Sequence, residues 1–495
     1  MVFSRSVSLG SFVVLWVGNG DEFPLVQTPL ALGEALSNPG RAGALVRPRR
    51  PSEVRTESKS SSAHPLYGQF DGGMVFRLDE SEGLGCGYDQ LVVDLNRNGN
   101  LADDVIWGLA QTNSTHAEQP SQPCFGPVAV APPGSNTNWQ PSFFAQLTLY
   151  DPKALASPAL DPERIVGYLS TKAASVLVTT VSVDHATERI ALLDGNCNFR
   201  LGDAPRLATG AELLGRDWEQ TPADFILRDR PRSGEFDRGS AEHAPEFWAN
   251  PVYFEGKPYT LTPSPDGSRL GGEPYAGPTG NLEVSGPAPI RTLVLARALR
   301  GGEWDAVTLS PGSGALTVPA GTYRLLRCVF AAQETNGMWT VARAHASPQQ
   351  KEIRVQAGTS ASLECGVPLE LHVEVKKEEN GFRWGLPDAE GSVGRYTITA
   401  KVVGPDGTAI AQLFHGRDLN SLVPIKEPKF EIINEHGWPI ASGEMESGQD
   451  GNYTQTWAMP AKYAALHLKV SVEIGLGAFL PPHEPLKSIP VAIGG

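Results

Sequence analysis

The sequence predicts a mostly β, multidomain protein, and three observations lead to this fold class. Short runs that alternate apolar and polar residues recur along the chain, as is typical of half-buried strands. Glycine contributes 53 and proline 41 of the 495 residues, so turns must be frequent. The length corresponds to about three domains. We therefore expect tandem β units followed by two β-sandwich domains.

Residues 1–20 are typical of a secretory signal peptide. Arg5 supplies a short positive start, the apolar run 11–17 has the length of a signal-peptide core, and residues 18–20 are suited to cleavage. A buried N-terminal strand is the alternative interpretation. We expect an extracytoplasmic protein, secreted or periplasmic. No other run reaches the roughly 18 apolar residues of a membrane span, so no span is expected in the mature chain.

The next segments are predicted to be a linker and a β domain. Residues 21–62 are largely polar and aperiodic, which favours a flexible linker. Residues 63–280 contain the same order twice, a pair of strands that leads into a polar loop. The apolar runs 91–93 and 190–193 precede these two loops. We therefore expect two related β units within this domain.

The first polar loop has the spacing of a calcium-binding loop. Oxygen-bearing side chains alternate, Gly99 permits a positive φ, and two carboxylates close the loop. Calcium prefers about 6–8 oxygen ligands, so alternate side chains that turn inward would converge on it. The predicted ligands, with a backbone carbonyl near the fourth of them, are Asp94, Asn96, Asn98, Asn100, Asp103 and Asp104.

The first loop resembles the D-x-D-x-D-G calcium loops of EF-hands, dockerins and related β-proteins. It departs from the EF-hand at position twelve, where Val105 stands in place of glutamate. A second loop lies one hundred residues further on, but it carries two carboxylates and Phe199 replaces the glycine. We expect the first site to be weak, as extracellular calcium modules are, and the second to be weaker or degenerate. The predicted ligands of the second loop are Asp194, Asn196, Asn198 and Asp203.

An interpretation in which neither loop binds a metal also remains open. The Asp-x-Asn-x-Asn spacing also suits Asx turns, in which the side chains cap a strand by accepting backbone hydrogen bonds.

Two β-sandwiches are expected towards the C-terminus. Residues 318–325 read VPAGTYRL, and their alternation predicts that Tyr323 and Leu325 are buried on one face. This run is similar to prealbumin-like, carboxypeptidase-regulatory-type domains, and we place such a domain at 287–366. Four alternating runs separated by Gly-containing turns predict an immunoglobulin-like domain at 367–480. Residues 481–495 are expected to form a Pro-rich tail.

The order of motifs also resembles a group of proteins. Gly-Tyr-Asp at 87–89 precedes the first loop, and FEGKPY at 254–259 and SPDGS at 264–268 follow the second. Together with the VPAG run and the immunoglobulin-like end, this order resembles uncharacterised secreted multidomain proteins of planctomycete-type bacteria. The resemblance implies an extracytoplasmic location and β architecture, and it implies no reaction.

The net charge and the absence of catalytic motifs limit the classes of function that the sequence allows. A net charge of −14 argues against nucleic acid as a partner. The sequence contains none of the nucleophile, zinc-protease, phosphate-loop or dinucleotide signatures, so no catalytic residue is assigned. We expect a non-catalytic protein with calcium-stabilised loops that binds a partner protein or a glycan. The alternative is a carbohydrate-active hydrolase with acidic residues on loops. Tryptophans that are exposed would suit glycan stacking in either case, although core packing is the more common fate of this residue. The candidates are Trp139, Trp218, Trp248, Trp304, Trp384, Trp438 and Trp457.

The five cysteines leave two interpretations open. In an oxidising compartment, Cys86 could pair with Cys124 and Cys328 with Cys365, which leaves Cys197 as the odd thiol. Five free, buried thiols are the other interpretation.

Overall fold

The structure is a computed structural model without ligands. It describes residues 21–39, 42–62, 64–70, 73–83, 87–110, 122–130, 139–150, 161–183, 186–204, 206–207, 223–229, 236, 246–264, 266–310, 315–346, 352–365, 369–378, 392–404, 408–417, 419, 422–425, 428–447, 452–463, 466–474 and 486–493. The predicted signal peptide at 1–20 lies outside these ranges. Of the described residues, 60% lie in strands and 2% in helix, which confirms the mostly β class.

The elements up to residue 274 are a short helix and eighteen strands. They are β1 (Asp21–Pro24), β2 (Val26–Pro29), α1 (Leu32–Ser37), β3 (Ala42–Val46), β4 (Leu66–Gln69), β5 (Val75–Asp79), β6 (Gln90–Val93), β7 (Ile106–Gly108), β8 (Cys124–Ala129), β9 (Ser142–Leu149), β10 (Gly167–Ala173), β11 (Ser175–Val183), β12 (Ala186–Leu193), β13 (Arg206–Leu207), β14 (Phe225–Arg228), β15 (Glu246–Phe247), β16 (Val252–Phe254), β17 (Lys257–Pro263) and β18 (Arg269–Pro274).

The remaining described elements are nineteen strands and one turn of 3-10 helix at Ala461–Tyr463. The strands are β19 (Thr279–Ser285), β20 (Ile290–Ala298), β21 (Trp304–Leu309), β22 (Leu316–Pro319), β23 (Gly321–Gln333), β24 (Trp339–His345), β25 (Ile353–Val355), β26 (Ser360–Glu364), β27 (Glu370–Lys377), β28 (Ser392–Val403), β29 (Ala409–Gly416), β30 (Val423–Pro424), β31 (Lys429–Ile433), β32 (Pro439–Glu444), β33 (Glu446–Ser447), β34 (Asn452–Pro460), β35 (Leu468–Ile474), β36 (Leu486–Lys487) and β37 (Val491–Ile493).

Four sheets build the part of the chain that carries the two loops. Their strand orders are β1-β18-β17-β16, β3-β10-β9-β8, β15-β14-β12-β11-β2 and β4-β5-β6-β7. A shared core lies between several of these sheets, and it contains the inward faces of β5, β6, β9 and β12. The strands that enter the two loops are therefore anchored in one apolar core.

The prediction of a flexible linker at 21–62 is wrong. In this segment β1 pairs with β18, β2 with β11 and β3 with β10, so three sheets recruit strands from it. The apolar residues at alternate positions of β3 are buried: Ala42, Ala44 and Val46. Each strand is only four or five residues long and is flanked by polar residues. Its partner lies far along the chain, so local periodicity does not reveal it.

The expected boundary at 366/367 does not separate two sheets. A twelve-stranded sheet has the path β13-β21-β20-β23-β24-β29-β28-β34-β33, and β24 of the first predicted sandwich pairs with β29 of the second. One apolar core contains residues from both sides of that boundary. Tyr323 and Leu325 are each 1% exposed, which confirms that the VPAG run buries one face.

The C-terminal segment also differs from the expected tail. Within 481–495, β36 and β37 both pair with β35, and Ile493 is buried. Neither helix in the described part of the chain has the length and apolar character that a membrane crossing requires.

The described cysteines are all buried, namely Cys124, Cys197, Cys328 and Cys365, and the thiols of Cys124, Cys197 and Cys365 are free. The bridge between Cys328 and Cys365 is therefore not formed, and neither is one from Cys124. Cys86 lies outside the described residues. Burial raises the pKa of the Cys124 thiol to about 11, so this group stays protonated at neutral pH.

Candidate metal centres

The two loops occupy the same place in their sheets. The first loop (residues 94–104) leaves β6, which is paired with β5, and leads into β7 on the other side of β6. The second loop (residues 194–203) leaves β12, which is paired with β11, and the chain returns to the other side of β12 in β14. Each loop thus begins where the central strand of an antiparallel trio ends.

Asp94 opens the first loop as a buried carboxylate, with 3% of its surface exposed. Its Oδ1 accepts a hydrogen bond from the backbone N–H of Asn98 at 3.1 Å, and its Oδ2 accepts one from Gly99 at 2.9 Å. The two bonds fix the side chain of Asp94 under the loop.

The asparagines of the first loop form successive Asx turns. The backbone N–H of Asn98 donates to Asn96 Oδ1 at 3.0 Å, and that of Asn100 donates to Asn98 Oδ1 at 2.6 Å. The N–H of Ala102 donates to Asn100 Oδ1 at 3.2 Å. Each amide oxygen retains a second lone pair, so capping a turn and binding a cation are compatible roles.

Two positive φ angles give the first loop its path. Arg97 has a φ of 57° and Gly99 a φ of 75°, which confirms the expected role of the glycine. A Cβ at Gly99 would lie 2.4 Å from the carbonyl oxygen of Glu53. The carbonyl of Gly99 accepts the N–H of Arg55 at 2.7 Å. Glycine is therefore required both for the turn and for the contact with the segment at 53–56.

The two carboxylates that close the first loop differ in their surroundings. Asp103 is exposed, and its Oδ2 accepts a hydrogen bond from Asn98 Nδ2 at 3.0 Å. Asp104 is half-buried, and its Oδ2 is enclosed without a hydrogen-bond partner among the described residues. The pKa of Asp104 is raised to about 6, mainly by burial and also by the negative charges of Asp94 and Asp103, against the lowering effect of a backbone donor from Leu95. A cation at this position would offset the electrostatic repulsion among the carboxylates of Asp94, Asp103 and Asp104.

The second loop repeats the first loop's hydrogen bonds at equivalent positions, except for the bond to Asn100, whose place is taken by Arg200. Asp194 is 5% exposed, and it accepts the N–H groups of Asn198 at 3.2 Å and Phe199 at 2.8 Å. Asn196 Oδ1 accepts the N–H of Asn198 at 3.1 Å, and Asn198 Oδ1 accepts that of Arg200 at 2.9 Å. The offset of one hundred residues in sequence is thus also a geometric equivalence.

Asp203 closes the second loop as Asp103 closes the first. Its Oδ2 accepts hydrogen bonds from Asn198 Nδ2 and from Asn196 Nδ2, the latter at 3.3 Å. The four predicted residues of the second loop are therefore brought together.

Phe199 shows how the second loop compensates for its missing glycine. Its φ is 66°, a conformation that costs an L-residue about 1–2 kcal/mol. The ring is 8% exposed and packs in the core near the ring of Phe143, with 6.0 Å between centroids. Cys197, also at positive φ, is buried, and its Sγ points at the carbonyl of Asp194. Core packing thus offsets backbone strain in this loop.

Asp224 is a residue of the second loop's surroundings that the sequence analysis missed. It lies directly before β14, and it is 0% exposed. Its Oδ2 accepts the N–H groups of Gly202 at 2.8 Å and Asp203 at 3.0 Å, while its Oδ1 has no hydrogen-bond partner among the described residues. The only sequence signal is an aspartate between Ala223 and Phe225 at the start of an apolar strand, twenty or more residues beyond the loop.

The carboxylates around the second loop repel one another. The pKa of Asp194 is raised to about 7, mainly by burial and also by the charge of Asp203, against the lowering effect of the backbone donors of Phe199, Asn198 and Cys197. Burial also raises the pKa of Asp224 well above its usual value, and the negative charge of Asp194 adds to this shift. This site therefore favours either a proton or a cation at neutral pH.

Hydrogen bonds link most of the predicted residues within each loop, and the binding of a metal by them stays a prediction. Within the described ranges, no three His, Cys, Asp or Glu side chains are grouped so that they could hold a metal by themselves. A cation in either loop would therefore also draw on asparagine and backbone oxygens, which are ligands that calcium accepts. The enclosed, unpartnered oxygens of Asp104 and Asp224 provide acceptors for such an ion.

The other candidate residues divide into buried and exposed ones. Trp139 and Trp248 are buried, which excludes them from stacking on a sugar. Trp438 is 71% exposed at the turn between β31 and β32, where its backbone N–H donates to Asn434 Oδ1 at 2.9 Å. His185, a histidine beside acidic residues, lies outside the described residues, as do Trp218 and Trp384.

No family model, curated protein or solved structure matches the chain. The resemblance to secreted planctomycete-type proteins therefore stays a prediction.

Proposed function

We propose that this chain is a non-catalytic β-protein of the extracytoplasmic space, secreted or periplasmic, whose two Asp/Asn loops are stabilised by calcium. The observation that carries the proposal is the repetition of one loop geometry. In both loops a buried aspartate accepts two backbone N–H groups. Further carboxylates lie close enough to raise the pKa of Asp104 in the first loop and of Asp194 in the second.

Calcium would stabilise the fold at both loops for the same reason. The ion would neutralise carboxylates that repel one another, and it binds the folded loop in preference to the unfolded chain. At a concentration ten times its Kd, such an ion contributes about 1.4 kcal/mol per site. Kd values of about 10⁻⁴–10⁻³ M, as in extracellular modules, suit a compartment rich in calcium. The N-terminal signal-like sequence supports that location.

The proposed partner is a protein or a glycan, and Trp438 is the side chain that supports this part. It is large, apolar and exposed at the tip of a hairpin, and it lies next to His436, which is also exposed. Aromatic rings with open faces stack on sugars and anchor protein interfaces. A glycan array probed with the wild-type chain and with Trp438→Ala tests it. Equal signals from the two chains would contradict a role for Trp438.

A carbohydrate-active hydrolase is the second candidate, and the raised carboxyl pKa values favour it. A general acid needs a pKa near the working pH, and the pKa values of Asp104 and Asp194 are raised to about 6 and about 7. In that case Asp194→Asn would abolish hydrolysis of a glycan. In the calcium-bound protein these carboxyls would be ion ligands, and no turnover is expected.

Thermal unfolding tests the calcium proposal. Calcium is expected to raise the Tm by roughly 3–6 °C per loop at ten times its Kd, and a chelator should remove the shift. Asp94→Ala should remove the part of the Tm shift that the first loop contributes. The double variant with Asp194→Ala should remove the whole shift. Asp266→Asn is the matched control, because Asp266 caps a turn in another hairpin, where it accepts hydrogen bonds from Ser264 and Ser268. Identical melting curves with calcium and with chelator would contradict the proposal.

A further inference from the structure

We propose that the cavity beneath the second loop binds one ordered water molecule, which connects the loop to β10 through the hydroxyl of Thr171. Two observations carry the proposal: the cavity has the size of a single water, and its lining contains a buried hydroxyl without a partner among the described residues. The site lies on the inner side of the loop. It does not depend on whether the loop binds calcium.

The cavity lies where the second loop meets the sheet β3-β10-β9-β8. Its volume is about 10 Å³, which is close to the smallest space that holds a water molecule. Strand β3 contributes Ala42 and Gly43 to the lining, β10 contributes Thr171, and the loop contributes Asn196 and Cys197. A molecule in this cavity would therefore contact both the sheet and the loop.

Thr171 indicates that the occupant is polar. The residue is 2% exposed, and its Oγ1 is enclosed without a hydrogen-bond partner in the part of the chain that the structure describes. Its backbone is paired on both sides, with Ala42 of β3 and with Ala145 of β9, so the residue cannot turn towards solvent. An unpaired buried hydroxyl destabilises a fold, and this position therefore favours an occupant that forms a hydrogen bond.

Two loop residues supply the further partners that a buried water requires. Such waters typically form about three hydrogen bonds with protein groups. Asn196 Oδ1 accepts the N–H of Asn198 at 3.1 Å and retains a second lone pair. The thiol of Cys197 donates to the carbonyl of Asp194, which leaves its sulfur as a weak acceptor. A water can accept the hydroxyl proton of Thr171 and donate to these two groups.

A direct bond between Thr171 and Cys197 does not take the place of the water. Burial and the charge of Asp194 raise the pKa of the Cys197 thiol, and the Thr171 hydroxyl opposes this rise, as expected for neighbouring groups that line one cavity. The hydroxyl nevertheless forms no hydrogen bond of acceptable distance and angle. Neighbouring polar groups that do not reach each other directly are suited to a bridging water.

Two buried threonines provide a matched pair of variants. Thr171→Val removes the hydroxyl at nearly constant shape, and it should lower the Tm of the full-length chain by roughly 2–4 °C because the water loses a partner. Thr179→Val is the control. Thr179 of β11 is 4% exposed and its Oγ1 also lacks a partner among the described residues, but it does not line this cavity. Loss of its hydroxyl should leave the Tm unchanged or raise it.

The opposite result is expected of a dry cavity, which gains stability when an unpaired hydroxyl is removed. A Thr171→Val variant at least as stable as the wild type, or equal losses in the two variants, would overturn the proposal. A crystal structure of the wild-type chain is the second measurement, and it does not require the variant to fold. It should show one water about 3 Å from Thr171 Oγ1. A cavity without density for a water would also overturn the proposal.

Discussion

Phe199→Ala is expected to lower the free energy of unfolding by about 3–5 kcal/mol, as for other large-to-small changes of a buried aromatic residue. The ring lies in the core that joins the loop-bearing sheets, near the ring of Phe143. Alanine would lose this packing and keep the strained positive φ. Chemical denaturation measures the loss, and calcium binding at the second loop should weaken with it because the N–H of Phe199 holds Asp194.

The variant Phe199→Gly separates the effect of backbone strain on stability from the effect of side-chain packing. Phe199→Gly loses the same ring but relieves the positive φ, so it should be about 1 kcal/mol more stable than Phe199→Ala. Glycine normally has the opposite effect in a folded chain, since it costs conformational entropy. Gly99→Ala is the mirror experiment in the first loop, and it should destabilise the chain because the new Cβ would meet the carbonyl of Glu53. A Phe199→Gly variant that is less stable than Phe199→Ala would contradict this account of the loop.

The metal-free protein is expected to lose stability as the pH rises from about 5 to about 8. Asp194 and Asp104 have folded-state pKa values raised to about 7 and about 6, from a usual value of 3.8. A carboxyl with a raised folded-state pKa contributes stability that is complete below its unfolded pKa and is lost as the pH rises through its folded pKa. The loss should be on the order of 2 kcal/mol, measured by denaturation at each pH.

Calcium should abolish most of this pH dependence, because it replaces the protons at the loops. Asp224→Asn should flatten the slope in the metal-free state, since it removes a buried negative charge next to Asp194. Asp266→Asn serves as the control: the hydrogen bonds from Ser264 and Ser268 lower the pKa of Asp266 to about 2, so it does not titrate in this window. A metal-free protein that becomes more stable from pH 5 to pH 8 would contradict the raised folded-state pKa values of Asp104 and Asp194.

Local patterns predicted those parts of the structure that depend on local physics. Alternation identified β23 and its buried Tyr323, because a strand with one buried face repeats every two residues. The spacing of oxygen-bearing residues identified both loops, because Asx turns connect residues two positions apart. The positive φ of Gly99 followed from the same reasoning.

Features that depend on distant partners were not predictable from local patterns. Asp224 joins the second loop only because β14 pairs with β12, and nothing in its immediate sequence indicates that pairing. The strands of 21–62 are short, and β1 finds its partner in β18, more than two hundred residues away. The pairing of β24 with β29 crosses the expected boundary at 366/367 for the same reason.

The fold gives the loops a common role. Each extends the middle strand of an antiparallel trio, and the first loop also pairs with the segment at 53–56. An ion at either position would be bound where the middle strand of such a trio ends.

The most direct test of calcium binding by the two loops is the number of ions that the folded chain retains. Equilibrium dialysis of the full-length protein against calcium at about 1 mM, followed by elemental analysis, should find two calcium ions per chain. The variant with both Asp94→Ala and Asp194→Ala should retain none. A wild-type chain that retains no calcium, or a double variant that retains as much as the wild type, would contradict the account.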